Sequence, residues 1–274
     1  MPAAVVAEAG PRPLAEVEPA RWAALTGVLT DIDDTLTADG EIEPAALRAL
    51  ERLAAAGVPV IAITGRPAGW SEPFALAWPL AAIVAENGAV MLRRVGGGLQ
   101  RDFMQDEATR AAHRLRLQAC AAAVLAGVPG SRLATDSAGR LTDIAIDHSE
   151  FSHLGAAQIA AVVALMRGHG LTATVSSIHI NGWIGAHSKW SGARWAVAVA
   201  AALGRELDPA AWVYVGDSTN DQAMFERIPL SVGVANIARF LPQMTAPPAY
   251  VTALERGRGF AEVADALLAA RAQP

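Results

Sequence analysis

Residues 28–37, VLTDIDDTLT, begin as an apolar strand and end in a group of carboxylates. We predict a buried strand over 28–32, a helix over 43–56, and further apolar strands over 58–64 and 82–86. A chain that alternates strand, helix and strand in this way forms a parallel sheet with right-handed crossovers. The stretch at 28–37 is therefore predicted to open an α/β sheet.

The segment over 88–182 departs from this rhythm. It combines a hairpin around the glycines at 96–98 with helical patterns and short strands, and we interpret it as an inserted α+β unit. The predicted fold class is α/β, with a Rossmann-like parallel-sheet core over 27–87 and 183–274 and an inserted α+β cap domain over 88–182. Residues 1–26 are expected to form a loose N-terminal arm.

Composition excludes several classes of protein. The 274 residues are 53% hydrophobic and 18% charged, which excludes a disordered chain. The net charge is −5 and the sequence shows no basic face, which argues against a nucleic-acid partner. The sequence contains no run of 18 apolar residues, so no membrane-spanning segment is predicted. The single cysteine, Cys120, excludes a disulfide framework and is expected to be a buried thiol. We expect a cytoplasmic protein that is monomeric or a small homo-oligomer.

Two acidic side chains at the end of the first strand suggest a cation site. Asp31 and Asp33 are two residues apart, so they project to the same side of the strand end. Clustered carboxylates need a cation or a proton to offset their repulsion, and Mg²⁺ prefers oxygen ligands of this kind. An aspartate-rich turn that caps the next segment is the alternative interpretation.

Two further positions suggest the binding of an anion. Thr64 and Gly65 end an apolar strand before a helix, where backbone amides can receive phosphate oxygens; an ordinary turn capped by Thr64 is the alternative. Lys189 stands at the head of a predicted helix, where the helix dipole disfavours a cation. This position suggests an anionic neighbour for Lys189, although most lysines are simply solvated.

A second acidic segment follows a later strand. Asp217 ends an apolar strand, and Asp221 comes four residues after it. We interpret Asp217 as a metal ligand, with Asn220 and Asp221 orienting water, phosphate or Lys189. A capped turn is again the alternative.

Together and in this order, these segments resemble the motifs of the haloacid dehalogenase superfamily of phosphohydrolases. Those motifs are Asp-x-Asp-x-Thr/Val, a strand-end Thr or Ser, a Lys, and Gly-Asp-x-x-x-Asp. The chain has Asp31-Ile32-Asp33-Asp34-Thr35, Thr64, Lys189 and Gly216-Asp217-Ser218-Thr219-Asn220-Asp221. The insertion between the second and third motifs resembles the C2-capped subgroup, which includes Cof-type and sucrose-phosphate-phosphatase-like enzymes. Asp34 is a departure, because many members have glycine at that position.

The resemblance implies a Mg²⁺-dependent phosphomonoester hydrolase that acts on a small phosphorylated metabolite, such as a sugar phosphate, through an aspartyl-phosphate intermediate. Asp31 would be the nucleophile, and Asp33 would act as general acid and then as general base. The groups expected to hold the phosphate are Thr64, Gly65, Lys189 and Asn220. The metal ligands would be Asp31, Asp33 and Asp217, supported by Asp221.

The choice of substrate is expected to lie in the cap. His179, Asn181 and Trp183 alternate along one strand and point to one side, so they are candidate specificity residues. Packing between cap and core is the alternative for Trp183, and a solvated side chain is the alternative for His179.

Two other functions remain open. One is a phosphotransferase or hexose phosphomutase, in which a sugar accepts the phosphoryl group in place of water. The other is a catalytically silent module that binds a phosphorylated metabolite.

Overall fold

The computed structural model describes residues 10–200 and 206–272. In chain order, the strands within these residues are β1 (Arg12–Pro13), β2 (Gly27–Thr30), β3 (Thr37–Ala38), β4 (Glu41–Ile42), β5 (Val60–Ile63), β6 (Ala82–Ala85), β7 (Val90–Val95), β8 (Gly98–Phe103), β9 (Arg132–Leu133), β10 (Asp143–Asp147), β11 (Thr172–Val175), β12 (His179–Trp183), β13 (Trp212–Gly216), β14 (Leu230–Gly233) and β15 (Tyr250–Val251). The α-helices are α1 (Pro19–Ala23), α2 (Pro44–Ala55), α3 (Ala68–Ala77), α4 (Glu107–Gly127), α5 (Ala156–Gly168), α6 (Lys189–Ala200), α7 (Gln222–Phe225) and α8 (Arg256–Ala272).

A central sheet of nine strands has the order β1-β15-β14-β13-β2-β5-β6-β7-β8. From β1 to β6 in this order the neighbours pair in parallel, and β7 and β8 add an antiparallel hairpin at the end. Every residue of β2, β5 and β13 is buried, as expected for parallel strands covered on both faces. The strand that precedes the first acidic motif therefore lies in the middle of the sheet.

Helices cover both faces of the central sheet. On one face α1, α2, α3 and α8 pack against the strands, and Leu50 of α2 and Phe260 of α8 are fully buried there. On the other face α6 and α7 contribute Val197 and Met224 to a second apolar layer. The result is a three-layer α/β core whose strands end at a common edge.

The inserted segment builds a second, antiparallel sheet with the strand order β11-β12-β10-β9, which we call the cap sheet. Helices α4 and α5 cover one face of it, where Cys120, Val124 and Ile180 are buried. Asn181 of β12 projects from the opposite face, and its side chain donates a hydrogen bond to the carbonyl of Gly65 in the core. The cap sheet therefore contacts the core directly at a predicted phosphate-binding residue.

The hairpin β7–β8 belongs to the central sheet, although the sequence analysis placed its residues in the cap. An apolar pattern with a glycine turn predicts a hairpin but does not show which sheet it joins. Because β7 and β8 pair within the central sheet, the cap does not begin at residue 88. The last strand of the cap, β12, extends to Trp183. We propose that the inserted unit spans residues 104–183.

Residues 10–26 are not a loose arm, which corrects that part of the prediction for 1–26. Leu14, Val17 and Trp22 are buried against the core, and β1 pairs with β15 at the edge of the central sheet. Burial of these apolar side chains anchors the segment to the core. Residues 1–9 of the predicted arm lie outside the described residues.

Among the described residues, no helix is both long and apolar enough to cross a membrane.

Candidate active site

The carboxyl ends of three adjacent strands bring the predicted motifs together. Asp31, Thr64 and Asp217 directly follow β2, β5 and β13, which are neighbours in the central sheet. The N–H of Asp31 continues the strand pairing by donating to the carbonyl of Val215 at 2.8 Å, and the side chains of Asp31, Thr64 and Asp217 are buried. In open α/β sheets this edge is where ligands bind.

Lys189, the first residue of α6, lies between two carboxylates. Its Nζ is 2.8 Å from Asp31 Oδ1, 2.7 Å from Asp221 Oδ1 and 3.4 Å from Asn220 Oδ1. Burial alone would lower the pKa of Lys189, but Asp221 and Asp31 raise it above its ordinary value. The anionic neighbours predicted for this lysine are therefore present within the protein itself.

Four donors occupy the carboxylate of Asp221. Oδ1 accepts from Lys189 and from the hydroxyl of Tyr214, and Oδ2 accepts from the N–H groups of Asp217 at 2.9 Å and Ser218 at 3.1 Å. A carboxylate with donors on both oxygens orients its neighbours and leaves little capacity for a metal. The sequence analysis missed Tyr214, although it lies three residues before Asp217.

Asp31 and Asp217 form the part of this cluster that can hold a cation. One oxygen each of Asp31, Asp217 and Asp221 lie within 4.8 Å of one another, and Asp221 is already saturated. Oδ1 of Asp217 is buried and has no hydrogen-bond partner among the described residues. Burial raises the pKa of Asp217 well above its ordinary value and raises the pKa of Asp31 to about 7. Two desolvated carboxylates with an unsatisfied oxygen fit a hard divalent cation.

Asp33 is paired with a buried arginine. Arg66 Nε lies 2.9 Å from Asp33 Oδ1 and 3.1 Å from Oδ2, while its Nη2 is 2.8 Å from Glu150 Oε1 and its Nη1 is 3.1 Å from Asp136 Oδ2. Burial alone would raise the pKa of Glu150, but hydrogen bonds from His179 and Arg66 lower it to about 2. Arg66 therefore joins the second motif aspartate to two acidic residues of the inserted unit.

The turn after β5 allows the cap sheet to approach closely. Oγ1 of Thr64 accepts a hydrogen bond from the N–H of Arg66 at 3.0 Å. The carbonyl of Gly65 accepts from Asn181 Nδ2 at 3.1 Å and from Arg140 Nη1 at 3.0 Å. A Cβ atom on residue 65 would lie 3.2 Å from the Asn181 side chain, tighter than most such contacts, so glycine suits this position.

The other two predicted specificity residues have different surroundings. His179 is buried, and its Nε2 lies 2.9 Å from Glu150 Oε2, so it is not a solvated side chain. Trp183 is buried, donates from Nε1 to the carbonyl of His187 at 2.9 Å, and stacks on the His187 ring. These contacts match the packing alternative for Trp183, and a role in specificity stays a prediction for all three residues.

A cavity of about 380 Å³ lies between the core and the inserted unit. The side chains on its core side are Asp33, Asp34, Thr37, Asp39, Arg66, Arg239 and Arg256, and those on its cap side are Ser149, Glu150, Phe151, Ser177 and Ile178. His179, Asn181 and Trp183 are not among the residues that line it. The sequence analysis assigned no role to Arg239 or Arg256, which lie beyond the last motif.

Comparison with known proteins connects this geometry to a family. A family model described as haloacid dehalogenase-like hydrolase matches residues 28–122. Residues 28–122 are therefore similar to a haloacid dehalogenase-like hydrolase. The matched region contains the first two of the quoted motifs: the first includes Asp31 and Asp33, and the second is Thr64. No curated protein matches the chain.

Several solved structures are similar to most of the chain. Thermoplasma acidophilum 0175 is 16% identical, with a TM-score of 0.67 over 89% of this chain and 98% of that one. The sucrose-phosphatase of Synechocystis sp. PCC6803, solved with sucrose and phosphate, is 15% identical, with a TM-score of 0.62 over 89% and 98%. The C-terminal domain of C. albicans trehalose-6-phosphate phosphatase is 13% identical, with a TM-score of 0.68 over 96% and 99%. At these identities the likeness establishes the fold alone.

The predicted superfamily is confirmed by the family model, and the predicted α/β fold class is confirmed by the central sheet and its structural neighbours. The prediction that the chain is an enzyme of this hydrolase superfamily is confirmed as well.

Proposed function

We propose that the protein is a Mg²⁺-dependent phosphomonoester hydrolase that acts on a small phosphorylated metabolite, a sugar phosphate or a related compound, through an aspartyl-phosphate intermediate. The observation that supports this most strongly is the arrangement around Asp31. Its carboxylate lies at the end of a central strand, bonded to the buried Lys189 and beside Asp217, whose Oδ1 has no partner among the described residues.

Mg²⁺ would be held by the carboxylates of Asp31 and Asp217 and by the backbone carbonyl of Asp33. When bound there, it would neutralise charge on the phosphate and on the two buried carboxylates. Asn236 supports this arrangement, because its Nδ2 donates to the carbonyl of Asp34 at 3.0 Å and lies 3.4 Å from Asp217 Oδ2. The loop after β2 is thereby tied to the end of β13.

In the first half-reaction a carboxylate oxygen of Asp31 attacks phosphorus. The bond from phosphorus to the ester oxygen breaks, and Asp33 gives a proton to that leaving oxygen. The Lys189 ammonium and the Thr64 turn hold the phosphoryl oxygens, where negative charge is concentrated. Asp221 keeps Lys189 in position throughout, since it binds the same Nζ as Asp31 does.

In the second half-reaction Asp33 takes a proton from water, and the resulting hydroxide attacks phosphorus. The bond from phosphorus to Asp31 breaks, which releases inorganic phosphate and restores the free carboxylate. Arg66 keeps the carboxylate of Asp33 at the wall of the cavity, where the leaving group and the incoming water would both lie. One side chain can therefore serve both steps.

The substrate class is proposed from the cavity. Ser149, Glu150 and Ser177 place hydroxyl and carboxylate groups on its cap side, and such groups bind sugar hydroxyls. The structural neighbours include proteins described as phosphatases of sucrose phosphate and trehalose-6-phosphate. A sugar phosphate, with its phosphate at Asp31 and its remaining part in the cavity, agrees with both observations.

The test is phosphate release from sugar phosphates by the purified full chain, with Mg²⁺ and with excess chelator. We expect activity that requires Mg²⁺ and that Asp31→Asn lowers by more than about 1,000-fold, because an amide is a poor nucleophile and a poor metal ligand. Asp265→Asn is the matched control, since Asp265 is exposed and its one ion pair among the described residues is with the exposed Arg52.

Full activity in chelator, or an active Asp31→Asn protein, would show that the proposal is wrong. Transfer of the phosphoryl group to an added sugar, without release of inorganic phosphate, would indicate the phosphotransferase alternative instead.

A further inference from the structure

Two arginines from the last part of the core lie on either side of one aspartate at the wall of the cavity. Arg239 Nη2 is 2.9 Å from Asp34 Oδ2, and Arg256 Nε is 3.1 Å from Asp34 Oδ1. Both arginines and Asp34 line the cavity that Asp33 and Glu150 also line. The proposed reaction uses neither arginine, so their presence beside the general acid needs another explanation.

Asp34 and Arg256 both have an unfavourable backbone conformation. Asp34 has φ of +54° and Arg256 has φ of +52°, a region that side chains other than glycine rarely adopt. Asn236 fixes both residues, because its Nδ2 donates to the carbonyl of Asp34 at 3.0 Å and its Oδ1 accepts from the N–H of Arg256 at 3.0 Å. Strained residues that are held by several bonds are typical of functional sites.

The guanidinium groups keep donors that no described residue uses. A guanidinium carries five N–H donors, and Asp34 engages one nitrogen of each arginine. Within residues 10–200 and 206–272, the Arg239 guanidinium makes one hydrogen bond, to Asp34, and lies 3.6 Å from Asp217; Arg256 Nε forms an ion pair with Asp34 but has no hydrogen-bond partner. The side chains are 47% and 31% exposed, so a ligand in the cavity can reach them.

The local charge favours an anion with one negative charge over an anion with two. Arg66, the third cation of the cavity, is already paired with Asp33, Glu150 and Asp136. Arg239 and Arg256 pair with Asp34, and Arg239 also lies 3.6 Å from Asp217, so these two cations already face two carboxylates. A carboxylate matches the planar guanidinium in shape and adds one negative charge, whereas a second phosphate would add close to two.

We propose that Arg239 and Arg256 bind a carboxylate carried by the leaving group of the substrate. The substrate would then be the phosphate ester of a hydroxy acid or sugar acid, with its phosphate at Asp31 and its carboxylate at the two arginines. This inference rests on the proposed phosphatase function and narrows its substrate class. Asp34 keeps the two cations together in the absence of substrate.

The experiment compares esters that differ only in the carboxylate. The pairs are 3-phosphoglycerate with glycerol 3-phosphate, and 6-phosphogluconate with sorbitol 6-phosphate. We expect the wild-type protein to favour the acid of each pair in kcat/KM. Changing both Arg239→Gln and Arg256→Gln should reduce that preference by about 10- to 100-fold, the range expected for charge-assisted hydrogen bonds. Any general loss of activity cancels in this ratio.

A matched control is Arg227→Gln, which removes an exposed arginine that pairs with Glu226 outside the cavity. Its preference for the acid should equal that of the wild-type protein. The proposal would be overturned if the ratio of kcat/KM for the acid to that for its matched ester were the same in the wild-type protein and in the double variant. Preference for fructose 1,6-bisphosphate over fructose 6-phosphate, lost in the double variant, would assign the arginines to a second phosphate instead.

Binding separates this inference from the proposed reaction. Calorimetry with Mg²⁺ measures the affinity of the Asp31→Asn protein for 3-phosphoglycerate and glycerol 3-phosphate without turnover. Tighter binding of the acid, lost when both arginines are changed, supports the subsite even if no ester is hydrolysed by the wild-type chain. Equal affinity for both esters refutes the subsite, and turnover of nitrophenyl phosphate would still support the phosphatase.

Discussion

Asp31 and Asp33 are two residues apart, yet their side chains meet different partners. Asp31 is buried against Lys189, while Asp33 lies at the cavity wall against Arg66. In the proposed mechanism the two carboxylates have different tasks, attack on phosphorus for Asp31 and proton transfer at the leaving group for Asp33.

Replacing Asp33 by asparagine should slow turnover of a sugar phosphate by roughly 100- to 10,000-fold, because an amide cannot exchange a proton with the leaving group or with water. The loss should be smaller for formation of the phosphoenzyme from nitrophenyl phosphate, whose leaving group needs no proton. Rapid-quench measurement of that first step, with Asp265→Asn as control, tests this. Equal losses for both esters would remove Asp33 from the role of acid.

His187 should make folding sensitive to acid. Burial, with a smaller contribution from His113, lowers the pKa of His187 to about 4, from about 6.5 in an unfolded chain. Between pH 6.5 and pH 4, His187 binds more protons in the unfolded state than in the folded state. The contribution of His187 to stability is therefore complete above pH 6.5 and is lost as the pH falls toward 4. The expected loss from this residue is about 3 kcal/mol.

Denaturant unfolding of His187→Phe across that pH range measures the effect. Phenylalanine keeps an aromatic ring beside Trp183, and the difference from wild type at pH 8 reports packing alone. The variant should lose about 3 kcal/mol less than wild type on going from pH 7 to pH 4. Parallel pH profiles for the two proteins would exclude His187 as the source.

Residues that directly follow apolar strands were the predictable part of the site. Asp31, Thr64 and Asp217 could be placed together because parallel strands end at one edge, and the structure does bring them together. Arg66 could not be assigned, since its partners Asp136 and Glu150 lie 70 and 84 positions away in the chain. A local sequence pattern cannot predict a contact between residues that are so far apart in the chain.

At the scale of elements, the short turn after β6 connects the core to the inserted unit. Glu86 is fully buried, with φ of +51°, and accepts from the N–H groups of Ala68, Leu141 and Thr142 and from the Thr142 hydroxyl. Leu141 and Thr142 directly precede β10 of the cap sheet. One carboxylate therefore fixes α3 of the core relative to the entry of a cap strand.

Glu86→Gln should lower the free energy of unfolding by about 2 to 4 kcal/mol, because an amide nitrogen would face buried donors. Glu72→Gln is the matched control, since it breaks only the partly exposed ion pair with Arg101 and should cost less than about 1 kcal/mol. Urea unfolding of both variants provides the comparison. Similar losses would mean that the Glu86 contacts contribute little.

Element type was more predictable than element membership. The apolar runs and the proline at residue 44 marked β2, β5, β6 and α2 to within a few residues. The hairpin β7–β8 was recognised but placed with the wrong sheet, because pairing partners depend on the tertiary fold. Likewise, the glutamates and scattered prolines near the N-terminus predicted a loose arm, yet Leu14 and Trp22 pack into the core.

At the scale of the whole molecule, the residues proposed to transfer phosphate lie in the core, whereas the cavity wall comes from both units. A phosphate group is alike in all monoesters, so substrate choice has to arise from contacts to the leaving group. Phe151, with 70% of its surface exposed, lies on the cap side of the cavity and offers an apolar face to that group. His179 acts on the same wall indirectly, through Glu150.

Phe151→Ala should therefore lower kcat/KM for preferred sugar phosphates by about 3- to 10-fold while changing that for acetyl phosphate little, since a small leaving group cannot reach the ring. The control is Leu115→Ala on α4, which removes an apolar side chain that is 71% exposed and lies outside the cavity. Thr64→Ala, in contrast, should depress all substrates together. A uniform loss in Phe151→Ala would assign that residue to folding or closure.

The two outer strands of the central sheet also affect how copies of the protein meet in a crowded solution. β8 carries Arg101 and Asp102, which form ion pairs with Glu72 and Arg93, and β1 at the opposite edge contains Pro13, which has no N–H to donate. Charges and proline at sheet edges discourage a further strand from docking there. These features oppose edge-to-edge pairing between the nine-stranded sheets of neighbouring copies. Such pairing could otherwise build a fibre.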